Sequence, residues 1–424
     1  MFQTLKNAWK VDDIRRKLIF TAIIIVLYRL GCSIPVPFVD RDAFAKWFEG
    51  QGTENLLGYF NILSGDSFSK ATLFALSISP YITASIVIQL LTIAIPALER
   101  LSKSGPDGQK KLTQITRYST VVLGFITAFG YYLTMKNNDA LTTESAFAGL
   151  VIVISYSAGA SLIMWLGEKI NDNGIGNGIS IILFANIVSR GPALLNAGIE
   201  AIKGGMYVTA IAVVVIMVAV ITFVVWITNS ERRLPVQYAK MQKGRKLYGG
   251  HSTHLPIKLN MSGVMPIIFA QSIVALPSTL ALIFGWSTDS GFFRYISMTS
   301  VIGVTLNFLL IIAFSYFYLA ISFNPIEVAN NLKANGGTIL GHRPGKPTAD
   351  YIQKVLNRIT FIGALFLGFI AVFPQVIYWL APTSGIGSLV FGGSSLLIVV
   401  GVALETVRDI ESQMTLRNYK GFLE

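Results

Sequence analysis

Apolar residues gather in ten runs, at about 18–37, 74–96, 118–135, 147–166, 178–198, 206–228, 262–284, 299–321, 359–380 and 390–407, with polar stretches between them. About 20 consecutive apolar residues carry a helix across a hydrocarbon core of roughly 30 Å, so the pattern predicts ten membrane-spanning helices in an all-α integral membrane protein. The fifth run, within GIGNGISIILFANIVSRG, is the weakest because Gly and Asn interrupt it. Its neighbours make a span the better reading. Between the first two runs lies an extended segment, 38–73, which contains NLLGYFNILSGDSFSKAT. Its apolar part is too short to span and predicts a re-entrant or interfacial piece.

Charge then orients the runs. Only 13% of residues are charged while 53% are hydrophobic, far from the roughly 25% charged of a soluble domain. A net charge of +12 would suggest nucleic acid in a soluble chain, but in a membrane protein its distribution matters more. Alternating ten spans places 26 Lys and Arg on one side and 7 on the other, with Arg29 inside the first run. The positive-inside rule then puts both termini in the cytoplasm. Two long basic loops, 229–260 and 322–358, fall on that side. The first carries seven basic residues against the single acid Glu231, which suits a docking platform for a large polyanionic or acidic surface. The N-terminus has no small-residue cleavage pattern and no Arg- and Ser-rich transit segment, so the first run reads as a retained span. Cys32 stands alone, which leaves no intramolecular disulfide and no thiolate metal site; it reads as a packing residue.

Little in the spans carries chemistry. Ionisable residues are nearly absent from them, which argues against a proton relay or a charge-coupled carrier. Gln89, Asn177, Asn186, Gln271 and Asn307 read as polar contacts between helices. His251, His254 and His342 all lie in loops without thiolates or paired carboxylates nearby, and no metal or other cofactor is expected. GIGNGIS lacks the Lys and Ser or Thr of a phosphate loop, so its glycines read as close helix packing or an entry turn. Ile78 and Ile82, and likewise Ile179 and Leu183, share helix faces at i,i+4; by periodicity alone they are core or lipid-facing residues. An intramembrane protease fails for want of a Ser-His pair or two Asp residues in spans. An inverted-repeat secondary transporter of a small solute stays open as the alternative.

Five long segments, in order along the chain, resemble one family. They are NILSGDSFSKATLFALSISPYITASIVIQLL, WLGEKINDNGIGNGISIILFANIV, QYAKMQKGRKLYGGHSTHLPIKLNMSGVMPIIFA, FNPIEVANNLKANGGTILGHRPGKPTADYI and FGGSSLLIVVGVALE. The family is SecY, pore subunits of the bacterial protein-conducting channel, of the same superfamily as the Sec61 alpha subunit. The resemblance implies two inverted five-helix halves, 1–198 and 199–424, around an hourglass pore. It implies a function in export of unfolded precursors and lateral insertion of hydrophobic segments, without enzymatic activity, in a bacterial plasma membrane.

The resemblance also implies residue roles. The pore ring falls on Ile78, Ile82, Ile179, Leu183, Ile268 and Ile398. The external plug falls at about 55–72, with Leu57, Phe60, Ile62, Leu63, Ser64 and Gly65, and with a charge, Asp66, that the family pattern does not explain. A lateral gate opens between the second and seventh spans, with Thr83 and Leu276 along it. Arg233, Arg245 and Lys246 would touch ribosome or motor, and Arg343 is the motor-sensitive position; Lys246 stands where an Arg is familiar and loses its planar fork. The implied partners are SecE-type and SecG-type small membrane subunits, the SecA motor ATPase, the ribosome, the translocating polypeptide with its signal sequence, and membrane lipid.

Overall fold

The computed structural model of the chain describes residues 8–50, 58, 61, 63–205, 207–238, 241–243, 246–248, 252–261, 263–284, 295, 300–380 and 393–420. Helices dominate them. In chain order these are α1 (Asp12–Gly31), α2 (Arg41–Gly50), α3 (Ser79–Ala94), α4 (Pro96–Lys103), α5 (Pro106–Asn137), α6 (Ala146–Asn173), α7 (Gly178–Ser189), α8 (Gly191–Lys203) and α9 (Tyr207–Asn229). After four strands come α10 (Met265–Phe284), α11 (Val301–Ser322), α12 (Pro325–Ala334), α13 (Lys346–Leu380) and α14 (Gly393–Lys420).

Each of the ten apolar runs carries a helix. Among the described residues, six helical stretches are long and apolar enough to cross a membrane, or seven if the bent pair α3 and α4 counts as one. The chain is a multi-pass membrane protein. In α9, YVTAIAVVVIMVAVITFVVWITN, β-branched residues would favour a strand in water, yet lipid offers no partner for an open strand edge and the helix satisfies its own backbone. Only 22% of its apolar window is buried within the protein, so most of it is left to lipid.

The second run does not become helix where its hydropathy begins. Residues 65–78 are turns interrupted by the bridge of Thr72 to Pro35, Ser77 has φ 51°, and α3 starts at Ser79 with Pro80 in its first turn, where a proline's missing N–H costs nothing. Its far end breaks at Pro96, and α3 and α4 meet at 101°. A proline pushes its predecessor out of the helical region, and Ile95 accordingly sits at φ −110° and ψ 113°.

The two basic loops depart from the all-α expectation. Strand β1 (Glu231–Tyr238) pairs antiparallel with β4 (Ser252–Lys258) on one side and with β5 (Gly337–Ile339) on the other. Strands β2 (Met241–Lys243) and β3 (Lys246–Tyr248) form a second small hairpin. Alternation explains β1, since Leu234 and Val236 are buried while Arg233, Pro235 and Gln237 are exposed. These two join Ile257, Ile339, Leu319 of α11, and Ile352, Leu356 and Ile359 of α13 in one apolar cluster. Loop 322–358 is thus largely structured. At 35 residues, α13 is about 52 Å long at the usual rise and outruns a bilayer core, carrying its first turns into this platform.

The main core cluster draws residues from α1, α3, α6, α7, α9, α10, α11, α13 and α14. A second cluster, at the end of the molecule away from the sheet, joins Phe44 and Phe48 of α2 to Phe68, Tyr131 and Tyr156.

Candidate functional site

Within the main cluster, Ile78, Ile82, Leu183, Ile268 and Ile398 are at most 5% exposed and Ile179 packs against them. They come from four helices and one helix cap. Ile78 precedes α3, and its carbonyl accepts from Ile82 N at 3.1 Å, so the pair keeps its one-turn spacing. The start of α7 is set by Asn177, whose Oδ1 accepts from Ile179 N and Ser180 N at 3.1 and 3.4 Å, satisfying two otherwise orphan donors. Gly176 takes φ 75°, and a Cβ on Gly178 would run into the Gly167 carbonyl of α6. Both expectations for GIGNGIS hold, entry turn and close approach.

Toward the sheet, the cluster opens into a cavity of about 550 Å³. Val264, one turn before Ile268, and Leu397, next to Ile398, line its inner part. Asn177, Lys258, Asn260, Glu405, Arg408 and Asp409 also line it. Arg408 Nη2 donates to Thr228 O at 3.0 Å and to Asn229 Oδ1 at 2.8 Å, and Asp409 Oδ2 accepts from Gly176 N at 2.9 Å. Burial, and then the charge of Arg408, holds the Lys258 amine below its ordinary range. The cavity wall therefore carries both signs of charge and amides, with no single-sign field.

On the opposite side of the cluster sits the segment expected as a plug. Leu57, Phe60 and Ile62 lie outside the described residues, while Leu63, Ser64 and Gly65 are described and the first two are buried. Leu63 belongs to the same core cluster as Ile78, Ile82, Leu183, Ile268 and Ile398. Its carbonyl accepts from Ser77 Oγ at 2.9 Å and from Asn186 Nδ2 at 2.6 Å. Asp66 is accounted for: its carboxylate meets Arg190 Nε at 3.2 Å and Asn61 Nδ2 at 3.0 Å. Gly65 takes φ 61°, and a Cβ there would meet Arg29 Nη1 at 2.9 Å and Asn186 O at 3.1 Å. Only glycine fits that turn without strain. Further along, Tyr131 Oη donates to Phe68 O at 2.6 Å and Tyr156 Oη to Ala71 O at 3.2 Å.

Thr83 is half-buried on α3 and Leu276 is exposed on α10, two helices that pack on each other. Gln89 of α3 bridges instead to α11, accepting from Tyr318 Oη at 3.2 Å, and Phe269 of α10 packs on the Tyr318 ring at 5.2 Å. On the platform, Arg233 is exposed and its Nε donates to Glu231 Oε1 at 2.7 Å. Arg343 is exposed too, and its carbonyl accepts from Thr348 Oγ1 at 2.8 Å. Arg245 lies outside the described residues; Lys246 begins β3. The sheet joins the two basic loops, which sequence analysis treated separately.

Sequence reasoning took Asn186 as a contact between helices, but its amide holds the Leu63 carbonyl, 123 residues away and outside the apolar spans. Ser77, Arg190, Tyr131 and Tyr156 were not singled out. No local pattern marks them, because their partners lie far off in sequence. The sheet did leave a signal, the alternation of Leu234 with Val236 and of Leu255 with Ile257 on either side of a basic turn.

The SecY family model matches residues 72–407. A protein translocase subunit SecY of Streptomyces scabiei is 44% identical over the full length of both chains, and one of Mycobacterium bovis is 39% identical over the full length of both. Among solved structures, one described as that of a protein conducting channel superposes with a TM-score of 0.70 at 18% identity, covering 94% of this chain and 92% of the other. Sec61 in the canine ribosome-channel complex superposes with a TM-score of 0.62 at 17% identity, with the same coverage. The two distant structures share its fold, and on the full-length identity to its bacterial relatives the chain belongs to the SecY family.

Proposed function

We propose that the chain is a protein-conducting translocation channel whose constriction is the collar Ile78, Ile82, Ile179, Leu183, Ile268 and Ile398. The observation that carries the reading is one buried apolar cluster that holds five of these residues and has Ile179 packed against it, with a cavity of mixed polar and apolar lining on the sheet side and Leu63 packed into the cluster from the other. A narrow aliphatic collar sheds water and so resists ions, yet it deforms around a chain of any side-chain chemistry because its contacts have no direction. The segment at about 55–72 acts as the plug. Ten spans arranged as two inverted halves, 1–198 and 199–424, surround the pore, with both termini in the cytoplasm of a bacterium and the channel in its plasma membrane. The two structural relatives named above are a protein-conducting channel and a ribosome-channel complex. By analogy the joined sheet platform, with Arg233, Arg245, Lys246 and Arg343, docks ribosome and SecA-type motor. SecE-type and SecG-type subunits clamp the helices. The seam between α3 and α10, at Thr83 and Leu276, releases hydrophobic segments to lipid. Work comes from motor or ribosome, and the chain itself is no enzyme. A small-solute transporter is not favoured.

The test is translocation of a secreted precursor into vesicles holding this chain, its small membrane partners and the motor. ATP-dependent protection of the precursor from added protease is expected. Vesicles that bind the motor and never protect the precursor would overturn the reading.

A further inference from the structure

We infer that Asn186 is a positioning residue of the closed channel, and that with the Asp66–Arg190 ion pair it latches the Leu63–Asp66 turn against the collar until an arriving chain displaces it. The inference rests on the plug reading above and adds what holds the plug. Asn186 is 0% exposed within the apolar helix α7. Its Nδ2 donates to Leu63 O at 2.6 Å and lies 3.4 Å from Ser77 Oγ, while its Oδ1 accepts from Arg29 Nη1 at 3.4 Å. An amide buried among apolar side chains is tolerated only when its atoms are partnered, and the shorter Nδ2 bond of this one, to Leu63 O, exists only while the turn is in place. The Arg190 and Asp66 side chains are 24% and 29% exposed, so water screens their pair less than a surface one.

The latched segment is held in a conformation it would not choose. Within the turn Asp66 has φ 67°, the left-handed region that side chains with a Cβ disfavour. Released, the segment has every reason to relax. Its far end stays fixed by the Tyr131 and Tyr156 hydroxyls on Phe68 O and Ala71 O, so release swings the turn about Phe68 rather than freeing the whole segment. Hydrogen bonds and an ion pair are directional and fail together over a small displacement. That gives an on-off contact where apolar packing would slide.

The test records resting openings of the channel, with its small subunits, in planar bilayers, beside precursor export by the same preparations. Asn186→Leu is expected to raise resting openings about tenfold and Asn186→Gln by no more than about threefold, as loss of a buried hydrogen-bond donor implies. Asp66→Arg and Arg190→Asp are each expected to raise them several-fold, and the swapped double variant to return to within about twofold of wild type, which a merely structural role would not produce. Asn186→Leu and Asp66→Arg channels that export normally and stay as quiet as wild type would overturn the latch. So would a swapped double variant leakier than either single one. A wild-type preparation that exports nothing would overturn the channel reading and the inference with it.

Discussion

The collar and the seat of the plug meet at Leu63 and are built from opposite chemistry. Ile82, Leu183, Ile268 and Ile398 are themselves aliphatic and lie in an apolar cluster of aliphatic and aromatic side chains, and apolar contacts lose little when a side chain shifts. Around Leu63 O, within the same buried region, Ser77, Asn186 and Arg29 form a hydrogen-bonded set, with the Asp66–Arg190 pair beside it. On the proposed reading, the difference gives each a separate task. A compliant ring can grip any passing chain, and a directional seat can hold one segment in one place and then let go.

The largest expected effect comes from making the collar resemble the seat. Replacing Ile82, Ile179 and Ile268 together by Asn lets water wet the constriction, and resting conductance should rise by tenfold or more. The triple Leu variant, equally apolar, should stay near wild type. If both triple variants are equally quiet, these three residues do not line the pore. Next in size is the lock on the seam: cysteines at Thr83 and Leu276 in a Cys32→Ser chain, once crosslinked, should stop insertion of signal sequences and leave motor binding intact. Export at full rate through a crosslinked seam would remove the gate from the account.

Smaller again is Arg343→Glu. The residue is exposed on the platform, so its reversal should cut ATP-driven export several-fold through docking while the detergent-solubilised protein unfolds at an unchanged temperature. A lowered unfolding temperature with normal export would invert that assignment. The smallest effect is expected from Leu356→Ala, which opens a void under the sheet at a residue 1% exposed. It should cost the platform about 2–5 kcal/mol, read as faster amide hydrogen exchange at Val236 and Ile257 with no change in resting conductance.

How far the sequence revealed this design depended on the kind of force involved. Helices in lipid announce themselves through long apolar runs, and each of the ten runs carries one. Where a run failed to predict its helix end, a backbone rule overrode hydropathy: Ser77 in a left-handed turn before α3, and Pro96 after it. The proposed collar is not legible from periodicity, because Ile78 and Ile82 look like any buried pair, and its role rests on the resemblance to a family. The seat was less visible still. Asn186 lies 109 residues from Ser77 and 157 from Arg29, and nothing local to any of them says that they meet. Asp66, a charge without an explanation in the sequence, finds its partner in Arg190, a residue that only topology brings near.

The central claim is that a translocating chain threads the ring formed by both ends of the sequence. A precursor bearing one cysteine can be arrested midway through channels in which Cys32 is replaced and a single cysteine is placed at Ile82, at Ile398, or at Val215, which is 61% exposed on α9. The account predicts disulfide formation from the same precursor position to both Ile82→Cys and Ile398→Cys, and none to Val215→Cys. Crosslinking to Val215→Cys with neither collar position reacting would contradict it.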